Sequence, residues 1–145
     1  MKDINFLSEG IFVLLPTKAN PKVFLSIDTR KTANLAFKLY NPFSNKARML
    51  KVVVRFLCLY CNPLAKVFLP TIKVEKSNFI VFLETTLKTK SLTSSVYKAT
   101  IKDKVVLQLQ ADNEIIGYVK YPLNDVGLKH ILNEIAEDEA TRLLQ

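Results

Sequence analysis

The chain has 145 residues, 49% apolar and 23% charged, which suits one globular domain with a sizeable core and excludes a disordered chain. It carries 21 Lys and Arg against 13 Asp and Glu, a net charge of +8, which favours anionic partners such as phosphates, nucleic acid or an acidic membrane face. The opening MKDINFLSEG lacks an apolar run behind a basic head and does not read as a signal peptide. The longest apolar region, MLKVVVRFLCLYC, contains Lys51 and Arg55 and is too short for a spanning helix. A cytoplasmic location is the expectation.

In chain order, GIFVLLPT and KVFLSID are short apolar stretches around KANP, a turn signal, and predict two strands of a hairpin. Residues 29–69 read as helical. TRKTANLAFKLY places Ala33, Leu35, Ala36 and Leu39 at helical spacing and stops before Pro42. SNKARMLKVVVRFLCLYC follows, with Ser44 as N-cap, a stripe of Met49, Leu50, Val53, Leu57 and Tyr60, and Lys46, Arg48, Lys51 and Arg55 as its charge. Such a basic amphipathic helix packs its stripe on its own domain, or docks on a partner or an anionic membrane.

Cys58 and Cys61 form a C-x-x-C at the end of this helix rather than at a helix start, where the dipole would activate a thiol. With one distant histidine, His130, the chain does not offer the four ligands of a structural zinc site, so both cysteines read as small apolar residues. NFIVFLET, SSVYKATI, KVVLQLQ and EIIGYVKYPL then predict four successive strands of an antiparallel meander. Asn124 or Asp125 caps a last helix, GLKHILNEIAEDEATRLLQ. The fold class expected is α+β: residues 1–69 a strand and helix extension, residues 70–145 an antiparallel sheet with a packed helix.

The last helix raises a specific question. At about 100° per residue, Leu128, Ile131, Leu132, Ile135, Ala136 and Leu143 share one face, which predicts the buried side. Glu134 and Glu137 fall on the opposite face, as does His130, while Glu139 falls inside the apolar stripe. A buried carboxylate without a partner costs several kcal/mol. Lys120, at the end of the preceding strand, is the nearest cation, so a Lys120–Glu139 pair is expected, with Glu134 as the partner if the helix is rotated.

Antiparallel strands, a lysine near the end of the last one and a helix with an inward glutamate resemble the N-terminal lobe of the protein-kinase-like fold, in its aminoglycoside-phosphotransferase-like branch. VVLQLQADNEIIGYVKYPL and NEIAEDEATRLL carry the resemblance, which covers residues 95–145. It implies ATP as the ligand, Lys120 on its phosphates and Glu139 (or Glu134) orienting that lysine. The departures are also plain. Gly10, Gly117 and Gly127 are the only glycines, and YKATIKDK would have to serve as the phosphate loop. The catalytic base and metal ligands of the family belong to a C-terminal lobe whose motifs do not occur here, so no catalytic or metal residue is assigned. The expected partners are nucleotide and a C-terminal lobe or companion chain.

The competing expectation is a non-catalytic basic α+β module that binds a protein partner or anionic membrane surface through helix 44–61. Nucleic-acid binding is not expected, because no strand reads as an RNA-binding motif and the aromatics are not interleaved with a basic patch.

Overall fold

Continuous apolar runs make strands that are covered on both faces, and the chain opens with two. In the computed structural model, which describes residues 5–99 and 103–143, β1 (Gly10–Leu15) and β2 (Val23–Ser26) pair antiparallel with Leu15 opposite Val23. All four residues of β2 and the last four of β1 are buried.

The chain then crosses one face of the sheet as helices, the first two of them started by a hydroxyl cap. Thr29 Oγ1 accepts from Thr32 N at 3.1 Å to begin α1 (Arg30–Ala36), and a 3-10 turn follows at Phe37–Leu39. Ser44 Oγ accepts from Ala47 N at 3.2 Å to begin α2 (Asn45–Tyr60), as expected for an N-cap. α3 (Asn62–Phe68) follows directly, with Pro63 in its first turn. Asn62 ties this junction to the sheet by donating from Nδ2 to the Ile27 carbonyl at 2.9 Å.

β3 (Thr71–Val74) returns to the free side of β1. After α4 (Asn78–Leu87), the strands β4 (Thr93–Ala99), β5 (Lys104–Ala111) and β6 (Glu114–Pro122) form an antiparallel meander, and α5 (Asp125–Leu143) ends the described chain. β4 pairs with β2, so one six-stranded antiparallel sheet runs β3-β1-β2-β4-β5-β6. The fold is α+β. Strands from residues 1–69 and from residues 70–145 share that sheet, and the division at residue 69 falls between hydrogen-bonded neighbours rather than between two sheets.

Two cores follow from the strand alternation. Phe12, Leu14, Phe24, Val96, Val105, Leu107 and Leu109 meet α4 on one face. Val13, Leu15, Val23, Leu25 and Ile27 meet α1, α2 and α3 on the other.

Three expectations need correction. NFIVFLET is not a strand but α4: Ser77 Oγ accepts from Ile80 N at 3.4 Å and Lys88 closes the helix in the left-handed conformation. Local capping outweighs the β-propensity of Ile80, Val81 and Phe82, and Ile80 and Leu83 supply a buried ridge at helical spacing. The fourth strand of residues 70–145 is instead β3, at the far edge of the sheet.

On α2 the buried residues are Val54, Cys58 and Leu59, while Met49, Val53 and Tyr60 are exposed. The helix is apolar nearly all round between Val52 and Tyr60, so its pattern did not decide which stripe faced inward. On α5 the face toward the sheet is Gly127, His130, Ile131 and Glu134, and Leu128, Leu132 and Ile135 stay about half exposed.

Close approach sets the seat of α5. Asn124 caps it, its Oδ1 accepting from Gly127 N at 2.9 Å. A Cβ on Gly127 would lie 2.0 Å from the Asp103 carbonyl oxygen, which already accepts from Leu123 N at 2.8 Å. Gly127→Ala therefore destabilises the protein by about 1–3 kcal/mol, because the backbone overlap outweighs the roughly 1 kcal/mol helix preference of alanine. A urea unfolding midpoint checks this, and a midpoint equal to or above wild type contradicts the close approach.

Candidate functional site

Register decides which side chains can meet. The β5–β6 hairpin turns through Asp112 and Asn113, both at positive φ, as a two-residue turn of this kind requires. Beyond an irregularity at Leu109/Gln110, Val106 lies opposite Lys120 and Lys104 opposite Pro122. Lys104, Val106, Gln108 and Lys120 thus share the face that also carries α1, where Gln108 Nε2 donates to the Leu35 carbonyl at 2.9 Å.

α5 lays Glu134 between the two lysines. Lys104 Nζ is 2.5 Å from Glu134 Oε1, and Lys120 Nζ is 2.6 Å from Oε2. The side chains differ in access: Lys104 is 7% exposed, Glu134 24% and Lys120 42%. The hydrogen bond from Lys104, then that from Lys120, hold the Glu134 carboxyl down at about 2. Two ammoniums on one carboxylate leave a local positive charge. Lys120 has three donors and is the one in contact with water, so it can reach a further anion while keeping Glu134.

Lys120 therefore has a helix glutamate as its partner, and that partner is Glu134, the residue expected for a rotated helix. Glu139 lies on the exposed side of α5, and its pairing with Lys120 is corrected. The reason is Lys104. An ammonium with almost no access to water needs a carboxylate beside it, and helical periodicity counted on α5 alone does not include that demand. The signal available in the sequence was a lysine opening a strand otherwise made of Val, Leu, Gln and Ala. YKATIKDK, the segment read as a phosphate loop, includes residues 100–102, which lie outside the described residues.

The second basic feature lies on α2. A cavity of about 900 Å³ beside this helix is lined by Lys38, Arg48, Lys51 and Arg55, with Asn34, Phe56 and Tyr60, and among the described residues no carboxylate lines it. Arg55 Nη2 donates to Asn34 Oδ1 at 2.9 Å, and the Arg30 guanidinium sits 4.8 Å from the centre of the Tyr60 ring. Burial, and then the charge of Arg55, push the Lys51 ammonium below its ordinary value.

Cys58 is buried, and burial pushes its thiol up to about 11; both cysteines are free. Among the described residues no three His, Cys, Asp or Glu side chains gather as metal ligands, and no helix is long and apolar enough to cross a membrane. No family model, no curated protein and no solved structure matches this chain.

The two lysines predict different losses. Glu134→Gln leaves nearly buried Lys104 without its counter-charge and costs about 2 kcal/mol or more, whereas Lys120→Met breaks a half-exposed pair and costs under about 1 kcal/mol. Equal losses in chemical denaturation contradict this ranking.

Because Glu134 titrates lower when folded, its stabilisation is complete above the ordinary carboxylate value of 4.5 and disappears as pH falls toward about 2. The stability difference between wild type and Glu134→Gln shrinks over that window, and a difference that stays constant contradicts the pairing.

Proposed function

We propose that this chain is a cytoplasmic, nucleotide-binding small lobe of the phosphotransferase-like kinase type, with Lys120 as the phosphate-binding lysine and Glu134 as the residue that orients it. The observation that carries the reading is the 2.6 Å contact between a lysine on the third strand of a meander and a glutamate on the helix that follows. The order β4-β5-β6-α5 supports it, as does the resemblance of residues 95–145 to that lobe. Lys120 and its neighbour Val106 lie side by side on one face and both retain access to solvent.

In this reading Lys104 is a positioning residue. It fixes one oxygen of Glu134, which leaves the other oxygen to hold Lys120. The Lys120 ammonium then meets phosphate oxygens as a point charge with donors to spare. No catalytic base and no metal ligand is assigned to the chain.

The test is a nucleotide titration of the isotope-labelled chain followed by NMR, comparing wild type, Lys120→Met and Lys51→Gln. Weak ATP binding is expected in wild type and in Lys51→Gln, with perturbations on β5 and β6, and a loss of about tenfold or more in Lys120→Met. The reading is overturned if ATP does not bind, or if Lys120→Met leaves its binding unchanged and the perturbations gather on α1 and α2.

A further inference from the structure

The net charge of this protein is not spread over its surface. From residue 29 to residue 74 there is no Asp or Glu, and there are nine Lys and Arg. Set against a total of +8, the remaining residues sum to −1. The whole surplus therefore sits on α1, the 3-10 turn after it, α2, α3 and β3, and all of these but β3 form one helical layer.

The same layer exposes apolar side chains. On α2, Val52 is 67%, Phe56 57% and Tyr60 62% exposed, and Phe43, just before the helix, is almost fully exposed. With Val52 set at zero, Asn45, Arg48, Met49, Arg55, Phe56, Leu59 and Tyr60 fall within about 80° on either side, and of these Leu59 turns into the core near the end of the helix. Met49, Val52, Phe56 and Tyr60 thus form an outward apolar strip. Arg48 and Arg55 run along one edge, with Lys51 behind them and Lys46 on the other side.

We propose that the outer face of α2 docks in the interface of an anionic lipid bilayer, with lipid phosphates seated in the basic cavity beside it.

Charge complementarity selects the occupant. Four cations and, among the described residues, no acid line the cavity, and an anion there offsets the burial and the Arg55 charge that push the Lys51 ammonium down. The apolar strip selects a bilayer over other polyanions. Met49, Val52 and Phe56 gain nothing from the phosphates of a soluble acidic polymer, but they gain burial at the headgroup and acyl boundary, about 5–10 Å deep for a helix lying in the plane. The arginine and lysine stems lie along the strip and carry their charges to the headgroups. α2 has 16 residues and a charged edge, so it lies on the membrane rather than crossing it.

The sequence contains no tryptophan, so Phe56→Trp makes a single emission reporter. The full chain is mixed with vesicles of phosphatidylcholine alone and with added phosphatidylglycerol, and binding is read by co-sedimentation and by tryptophan emission. Binding and a blue shift are expected only with phosphatidylglycerol, both weakened by salt. Lys46→Gln, Arg48→Gln and Lys51→Gln together lower the partition about tenfold or more, and Val52→Asp removes the blue shift.

Absence of wild-type sedimentation with phosphatidylglycerol vesicles overturns the proposal, whatever the behaviour of the reporter variant. Equal binding to heparin with no blue shift on vesicles also overturns it, because the face would then serve soluble polyanions.

Discussion

An ammonium with 7% of its side chain accessible cannot be left without a counter-charge, and the placement of α5 follows from that requirement. Lys104 opens β5 on the face that α5 covers. The helix must therefore bring a carboxylate to it, and Glu134 is the residue that the seat at Gly127 allows, two turns further along. Once Glu134 is held, its second oxygen fixes Lys120. One buried charge thereby sets the rotation of a 19-residue helix, turns half of its apolar stripe outward and builds the candidate site.

A second region of different character lies beyond this site. Both lie on the same face, divided by α1, whose Thr32 and Leu35 carbonyls accept from Gln110 and Gln108. On one side of that division two lysines share one carboxylate, which fixes both of them and leaves a net positive charge. On the other, four cations and, among the described residues, no acid line the cavity beside α2. A shared carboxylate holds its cations in place and leaves the exposed one with donors for a single anion, whereas cations without a carboxylate are all available to a ligand or a surface. A lobe that binds nucleotide at β6 while resting on a membrane through α2 would use the two regions together.

Much of the architecture was legible along the chain. The β1–β2 hairpin, the caps at Ser44 and Asn124, the meander β4-β5-β6 and the α+β class follow from runs, turns and caps that act within a few residues. The errors share one cause. Around Ile80, around Val53 and along α5, several arrangements bury similar amounts of apolar surface, so periodicity alone does not choose among them. At Ile80 the choice fell to the Ser77 cap. On α2 it fell to contacts with α1 and the sheet. On α5 it fell to a lysine 30 positions away in the chain.

The sequence by itself determined that Lys120 ends an apolar strand and that a helix with several acids follows it, because strand and helix periods are local properties of the chain. It also determined that nine cations stand together without an acid. Only the tertiary structure decided that Glu134 rather than Glu139 meets Lys120, and that Met49, Val53 and Tyr60 of α2 face outward while Val54, Cys58 and Leu59 face in. Those choices depend on Lys104, on the Asp103 carbonyl under Gly127 and on the pairing of β2 with β4. Each is a contact between residues far apart in the chain, and helical spacing has no access to them.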